Sequence, residues 1–312
     1  YATYYTDIVF KRSSRPALRS LYEDISDLRM EVSLPFLLKV HNDFAEGVIS
    51  QEELCEIIQL CISYVFRRSI CDIPTNSLNK TFATLRNAIR QDDYLNSIKA
   101  FFVLRDDYKE FPDDEKFAAA FVSRDIYNMR SRNFILGHLE NYGNKAPITI
   151  ENYTIEHIMP QNSNMSAEWR HMLGSGWREI QKTYLHTIGN LTLTAYNSEM
   201  SDHPFMIKMD MEGGFKESAL RLNSFVVKQS EWTEDTIKAR AQILADKAKQ
   251  IWPFPSISPE ELGPYQTSEK PAERYSLETY DVNTFTQSLF TVLDRRIMNL
   301  SPSVKREFKK LY

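Results

Sequence analysis

The sequence predicts a mainly α-helical protein with a small β-hairpin embedded in it. Apolar residues recur at helical spacing over most of residues 15–140. Two short runs rich in threonine and β-branched residues, "APITIENYTIEHIMP" and "HTIGNLTLTAYN", break this pattern and predict strands. Because a pair of short strands cannot build a large core of its own, we expect the helical body to hold it in place.

Helices of the first half are predicted from their caps and apolar stripes. Ser50 and Glu53 open "SQEELCEIIQLCISYVFRRSI" as a capping box, and the stretches "NSLNKTFATLRNAIRQ" and "DDYLNSIKAFFVLRD" repeat the helical pattern. Farther along, the spacing predicts one helix over 115–123 and another over 126–141. Together these elements define a predicted helical subdomain, residues 1–147.

The second half divides by composition. Residues 148–215 carry both predicted strands, with the helical stretch "SAEWRHMLGSGWREIQKTYL" between them. Thr233 caps the amphipathic pattern of "WTEDTIKARAQILADKAKQIW" in a closing helical segment, 216–254. A run rich in proline, serine and charge predicts a linker over 255–276, and residues 277–312 are predicted to begin a small C-terminal helical or α+β segment.

Composition limits the class of protein. The 312 residues are 42% hydrophobic with a net charge of −4, so no global positive field points to nucleic acid, although a local basic groove stays open. No apolar run is long enough to span a bilayer and no signal segment opens the chain, which predicts a cytoplasmic protein without a membrane partner. Because the chain opens at Tyr1 rather than at methionine, we interpret it as a fragment of a longer polypeptide.

Four polar residues stand at the ends of the predicted strands. Glu156 and His157 close the first strand just before Pro160, Asn190 opens the second strand, and Asn197 follows it. A neutral histidine can take a proton from water, and a hard divalent cation can be held by one carboxylate, one amide oxygen and water. Neighbours on a strand point to opposite faces, so we expect an irregular turn to bring Glu156 and His157 into one site.

Each of these residues alone is typical of a surface turn, but their joint order is more specific. The strings "IEHIMPQN" and "IGNLTLTAYNSEMSD" resemble the HNH, or ββα-metal, core of CRISPR-guided effector nucleases. They resemble still more closely the HNH-type C-terminal domain of GmrSD-like modification-dependent restriction endonucleases. This resemblance extends over residues 15–255 and includes "RSRNFILGHLE" and "HPFMIKMDMEGGFKESALRLN".

By position, the resemblance implies that His157 is the general base and that Glu156 and Asn197 are metal ligands. It also implies that Asn190 organises the site, either by orienting His157 or by tying the loop. The implied cofactor is one divalent cation, Mg²⁺ with Mn²⁺ as a substitute. In two departures, glutamate stands where many HNH domains have aspartate, and asparagine stands where the name of the motif expects its last histidine.

The implied activity is nicking or double-strand cleavage of foreign or phage DNA in bacterial restriction. Family members typically pair this domain with an N-terminal ParB-like nucleotidase domain, whose motifs are absent here. The implied partners are therefore double-stranded DNA and a nucleotidase or sensor domain of the same full-length protein. Two alternatives stay open: a catalytically degenerate DNA- or protein-binding module, favoured by the glutamate-for-aspartate change, and a nuclease that cleaves RNA.

Further basic residues are candidates for contact with DNA. We expect Lys208, Lys216 and His203 to contact phosphates, since such contacts supply most non-specific affinity, with a solvated surface as the alternative for the lysines. For His186 two roles stay open: a structural role and a contribution to the site. The arginines of the helical body either form structural ion pairs or line a groove: Arg67, Arg68, Arg130 and Arg132.

Overall fold

The computed structural model describes residues 1–266 of the chain. It confirms the coarse fold prediction, because the protein is mainly helical and has a small two-stranded antiparallel sheet. Residues Tyr1–Leu262 form one compact unit, and a second unit is described only through a 3-10 turn at Gly263–Tyr265. The predicted segment 277–312 and the end of the predicted linker lie outside the described residues.

α-Helices form most of the chain up to residue 141. In order they are α1 (Ala2–Val9), α2 (Pro16–Asp27), α3 (Leu34–Ala45), α4 (Gln51–Ile70), α5 (Leu78–Ala88), α6 (Tyr94–Val103), α7 (Asp114–Ser123) and α8 (Arg132–Asn141). The predicted capping box opens α4, since Ser50 and Glu53 exchange backbone-to-side-chain hydrogen bonds in both directions. Helix α4 packs against α2, α3, α6 and α7 and so forms the centre of the helical body.

The helix predicted over residues 126–141 begins only at Arg132. The prediction was wrong for the first six positions because tertiary hydrogen bonds replace helical ones there. The backbone N–H groups of Ile126 and Tyr127 both donate to the carbonyl oxygen of His186, at 2.9 and 3.2 Å. This segment therefore lies against the loop that leads into the second strand.

The remaining elements surround the sheet. They are β1 (Thr154–His157), α9 (Ala167–Leu173), α10 (Trp177–Tyr184), β2 (Leu191–Thr194), α11 (Asn197–Met200), α12 (Phe205–Asp210), α13 (Glu234–Ile251) and α14 (Pro259–Leu262). In the sheet Glu156 pairs with Thr192 and His157 pairs with Leu191. Helix α13 starts at the predicted cap, Thr233, and the short helix α14 lies within the predicted linker.

Two apolar clusters hold the sheet between them. Leu191 and Leu193 of β2 belong to the core of the helical body, whereas Ile158 and Met159, just after β1, belong to a second cluster. Helix α13 contributes to both clusters. Because each fully buried side chain of this size contributes about 1.5–3 kcal/mol, the body stabilises strands that are too short to persist alone. No helix among residues 1–266 has the length and apolarity that a membrane crossing needs.

Candidate active site

A cavity of about 250 Å³ lies at the end of β1. Three of the four predicted site residues border it together: Glu156, His157 and Asn197. The irregular turn expected between Glu156 and His157 is absent, because the ladder pairs both residues with β2. The cavity is instead at the strand end, where both residues border it. Its other polar lining residues are Gln161, Asn162, Ser201 and Asp202.

Glu156 is held by a buried lysine. Its Oε1 accepts a hydrogen bond from Lys208 Nζ at 2.5 Å, and the same ammonium donates to the carbonyl oxygens of His157 and Ile158, at 3.0 and 3.3 Å. Burial raises the pKa of Glu156 and lowers that of Lys208, because desolvation outweighs their mutual attraction. Within residues 1–266 no hydrogen bond involves Oε2 of Glu156, so this oxygen stays open.

Lys208 was predicted to contact DNA phosphates, and the structure places it elsewhere. Lys208 belongs to α12, and its side chain is fully buried in the interior. Three oxygen acceptors surround its ammonium there. A lysine buried in this way cannot present its charge to a phosphate on the surface. It fixes the end of β1 instead.

His157 is buried and neutral. Only 3% of the residue is exposed, and its Nε2 lies 3.0 Å from Nδ1 of His186. Burial, followed by the electrostatic influence of the neighbouring His186 and Lys208 side chains, lowers the pKa of His157 to about 3. The imidazole is therefore uncharged at neutral pH, which is the state that a general base requires.

Asn190 organises the loop rather than touching His157. Its Oδ1 accepts from the backbone N–H of Met159 at 2.7 Å and from the indole of Trp232 at 3.2 Å. Its Nδ2 donates to the carbonyl oxygens of Met159 and Leu185, both at 3.0 Å. Since none of its hydrogen bonds in the described chain goes to His157, the geometry places Asn190 in the loop-tying role.

Asn197 and Asp202 border the cavity on the side of α11. Nδ2 of Asn197 donates to the carbonyl oxygen of Ile155 at 3.3 Å, and no hydrogen bond from residues 1–266 involves its amide oxygen, which can therefore bind a ligand. Asp202 accepts a hydrogen bond from Asn162 Nδ2 at 2.8 Å, which lowers the pKa of its carboxyl group. Sequence reasoning missed Asp202, and the available signal was an acidic residue five positions beyond Asn197 in "NSEMSD".

These side chains suit a hard divalent cation. The cavity offers carboxylate and amide oxygens, which are the ligands that Mg²⁺ prefers. No three His, Cys, Asp or Glu side chains of the described chain are grouped as a metal site. A cation would therefore rely on Glu156, the amide oxygen of Asn197 and several waters, a ligand set that Mg²⁺ accepts because it dehydrates reluctantly.

A comparison with known families matches the part of the chain that contains this cavity. Residues 111–247 match the model of the GmrSD restriction endonucleases, C-terminal domain. This part of the chain is similar to the C-terminal domain of the GmrSD restriction endonucleases. The match includes the cavity, both strands and most of α13. No curated protein matches the chain significantly.

Helix α13 contacts the loop before β2 through Arg240, a residue that sequence reasoning missed. Arg240 is buried, and its guanidinium donates to the carbonyl oxygens of Ile188, Gly189 and Leu191, all within 3.1 Å. Burial lowers the pKa of Arg240, while these carbonyl dipoles favour its charged form. The sequence signal was an arginine directly beside Ala241 in the apolar stripe of α13.

Gly189 permits this helix to approach the loop before β2. A Cβ added at Gly189 would lie 2.5 Å from the carbonyl oxygen of Ile237 and 3.1 Å from Cβ of Ala241. Real side chains do not tolerate the first distance. The glycine in "IGN" is therefore required for close packing.

Other predicted contacts of the GmrSD-type domain lie at the surface. Lys216 is exposed and forms an ion pair with Asp210, and the side chain of His203 is exposed next to Asp202. Their DNA contacts stay predictions. Among the arginines, Arg67 and Arg68 are buried and structural, whereas two are exposed: Arg130 and Arg132.

Proposed function

We propose that this protein is a metal-dependent DNA endonuclease with an HNH, or ββα-metal, active site at the end of β1. It would nick or cut double-stranded DNA, foreign or phage, in the cytoplasm of a bacterium. The observation that carries the proposal is the cavity where a neutral, buried His157 lies beside the open oxygens of Glu156 and Asn197. The match to the C-terminal domain of the GmrSD restriction endonucleases supports DNA as the substrate.

In this proposal His157 removes the proton from the attacking water. Its Nε2 is engaged by His186, so the proton goes to Nδ1. Glu156 and Asn197 would hold the cation, which when bound stabilises negative charge on the phosphate and on the departing oxygen. Lys208 keeps Glu156 in place, because its ammonium bonds both the carboxylate and the backbone at the end of β1.

Choice of target would come from elsewhere in the full-length protein. The polar lining of the cavity is small and offers little surface for reading bases, so cleavage would show little sequence preference. We propose that a nucleotidase or sensor domain of the same polypeptide, or a DNA modification, selects the target. Lys216 and His203 would contact phosphates near the cavity.

Cleavage of supercoiled plasmid tests the proposal. The protein is incubated with plasmid and Mg²⁺ or Mn²⁺, with EDTA as the metal-free control. We expect conversion to open-circle or linear DNA, and a loss of about 10²–10⁴-fold in rate for His157→Ala, the range for removal of a general base. We expect a similar loss of cleavage rate for Asn197→Ala. The exposed residues His171 and Asn87 provide matched controls, because their alanine variants leave the cavity intact.

Two results would favour the alternatives. A wild-type protein that binds DNA but cuts none with any metal would favour a degenerate binding module. Faster cleavage of transfer RNA than of plasmid, dependent on His157, would favour an RNA-cleaving nuclease. Equal cleavage by wild type and the two site variants would remove the cavity from the mechanism altogether.

A further inference from the structure

Two histidines share a hydrogen bond at the wall of the cavity. Nε2 of His157 lies 3.0 Å from Nδ1 of His186, and the two rings meet at 71°. This is the one hydrogen bond that the His157 ring makes within residues 1–266. The other ring nitrogen, Nδ1, therefore stays available on the residue that borders the cavity.

His186 is itself held in place by the segment that precedes α8. Its carbonyl oxygen accepts from the backbone N–H groups of Ile126 and Tyr127, at 2.9 and 3.2 Å. The Tyr127 ring stacks on the His186 ring at 5.1 Å and 12°, and meets the His157 ring edge-on at 4.5 Å. Ile126 and Tyr127, which lie far from β1 in sequence, therefore hold His186 and pack against His157.

We propose that His186 is a positioning residue for His157. His186 accepts at Nδ1 the hydrogen bond that His157 donates from Nε2–H, which fixes the orientation of the His157 ring and its Nε2–H tautomer. Nδ1 of His157 is then the unprotonated nitrogen. The catalytic consequence rests on the proposed nuclease function, but the tautomer itself does not.

An acceptor nitrogen at His186 is suited to this task. When Nδ1 takes the proton from water, His157 becomes an imidazolium and keeps Nε2–H as the donor to His186, so no further proton has to move. Without His186, the proton of the neutral His157 ring could lie on either nitrogen. Protein molecules that carry this proton on Nδ1 could not use Nδ1 to accept a proton from water.

Two substitutions separate positioning from packing. His186→Asn places an amide oxygen near the position of Nδ1 and keeps an acceptor, whereas His186→Leu fills similar space without one. We expect kcat for plasmid nicking to fall about 10–100-fold in His186→Leu, the range for loss of a residue that orients a functional side chain. We expect KM to stay unchanged and His186→Asn to restore most of kcat. His171→Leu, at an exposed position of α9, is the matched control.

The tautomer can be measured without any cleavage. The chain has six histidines, so ¹⁵N-histidine labelling and long-range ¹H–¹⁵N spectra resolve the ring nitrogens, with His157→Ala and His186→Asn providing the assignments. We expect the Nε2–H form of His157 in wild type and in His186→Asn, and a mixture of forms in His186→Leu. Circular dichroism verifies that each variant folds.

Opposite results overturn the inference. A His157 ring in the Nδ1–H form in wild type would do so, as would a folded His186→Leu variant that keeps both the Nε2–H form and full kcat. A wild-type protein that cuts no DNA would defeat the proposed nuclease function instead. In that case the spectra alone would still decide whether His186 positions His157.

Discussion

The helical body and the cavity at the end of β1 use polar side chains in opposite ways. In the body, buried Arg67 donates to two carbonyl oxygens and one carboxylate, and Arg68 donates to three carbonyl oxygens and one hydroxyl group. At the cavity, Glu156 and Asn197 each make hydrogen bonds from one side-chain atom and leave an oxygen open. Side chains that spend several hydrogen bonds on buried partners indicate a structural role, and open acceptors indicate a site that can bind a ligand.

The same contrast separates the two asparagines of the motif. Asn190 uses both atoms of its amide inside the protein, while Asn197 is exposed and keeps its oxygen free. Residue type therefore does not reveal the role, whereas the set of partners does. Measurements of stability and of cleavage on the same variants test this distinction.

The largest effect on stability is expected at Arg67. Arg67→Ala removes a buried cation and leaves its carbonyl acceptors without partners, so we expect the free energy of unfolding to fall by about 3–5 kcal/mol. Urea denaturation measures the change, with Arg86→Ala at an exposed position of α5 as the control. A loss below about 1 kcal/mol would show that the hydrogen bonds of Arg67 contribute little to the stability of the helical body.

The two asparagines should give opposite results. Asn190→Ala leaves several buried groups unpaired, including the indole of Trp232, so we expect a loss of about 2–4 kcal/mol in urea denaturation. Asn197→Ala should change stability by less than about 0.5 kcal/mol because the residue is exposed, yet should abolish plasmid cleavage. The distinction breaks down if both variants lose stability equally, or if Asn197→Ala cuts normally.

Gly189→Ala tests the packing that supports the cavity. The new Cβ would overlap the carbonyl oxygen of Ile237, so we expect a loss of about 1–3 kcal/mol, the usual cost of overpacking. Gly176→Ala is the matched control, because the nearest atom to its Cβ lies at 4.0 Å. Equal melting temperatures for the two variants would mean that α13 can shift away from the loop freely.

The smallest expected effect is a pH dependence at His41, in the helical body. Burial lowers the pKa of His41 from its ordinary 6.5, and its ring bonds the Tyr22 hydroxyl and the carbonyl oxygen of Leu37. The unfolded chain then binds the proton more readily, so this contribution to stability is complete above about pH 6.5 and is lost as pH falls below it. We expect wild type to lose about 1 kcal/mol more than His41→Gln between pH 7 and 5.5.

Urea denaturation of both proteins at the two pH values isolates the histidine, because every other titrating group is common to them. Parallel losses would mean that His41 keeps its ordinary pKa in the folded protein. His41→Gln should leave plasmid cleavage unchanged, since His41 lies in the helical body and does not border the cavity.

Local signals in the sequence were sufficient for much of the fold. The capping residues Ser50 and Thr233 mark helix starts correctly because their partners lie only three residues away. Short strands with alternating threonines were predicted near their actual positions. The helix predicted from Ile126 failed because the backbone of that residue bonds to His186, far along the chain, and no local pattern reveals such a partner.

The sequence alone determined the helical class, the two strands, and the candidates Glu156, His157, Asn190 and Asn197 at the strand ends. Only the tertiary structure decided which side chains meet: Lys208 lies 52 positions from Glu156, and His186 lies 29 positions from His157. Hydrogen bonds and ion pairs act over a few ångströms in space, whatever the separation along the chain. Folding therefore turned a predicted surface lysine into a buried counter-ion and brought a second histidine to the first.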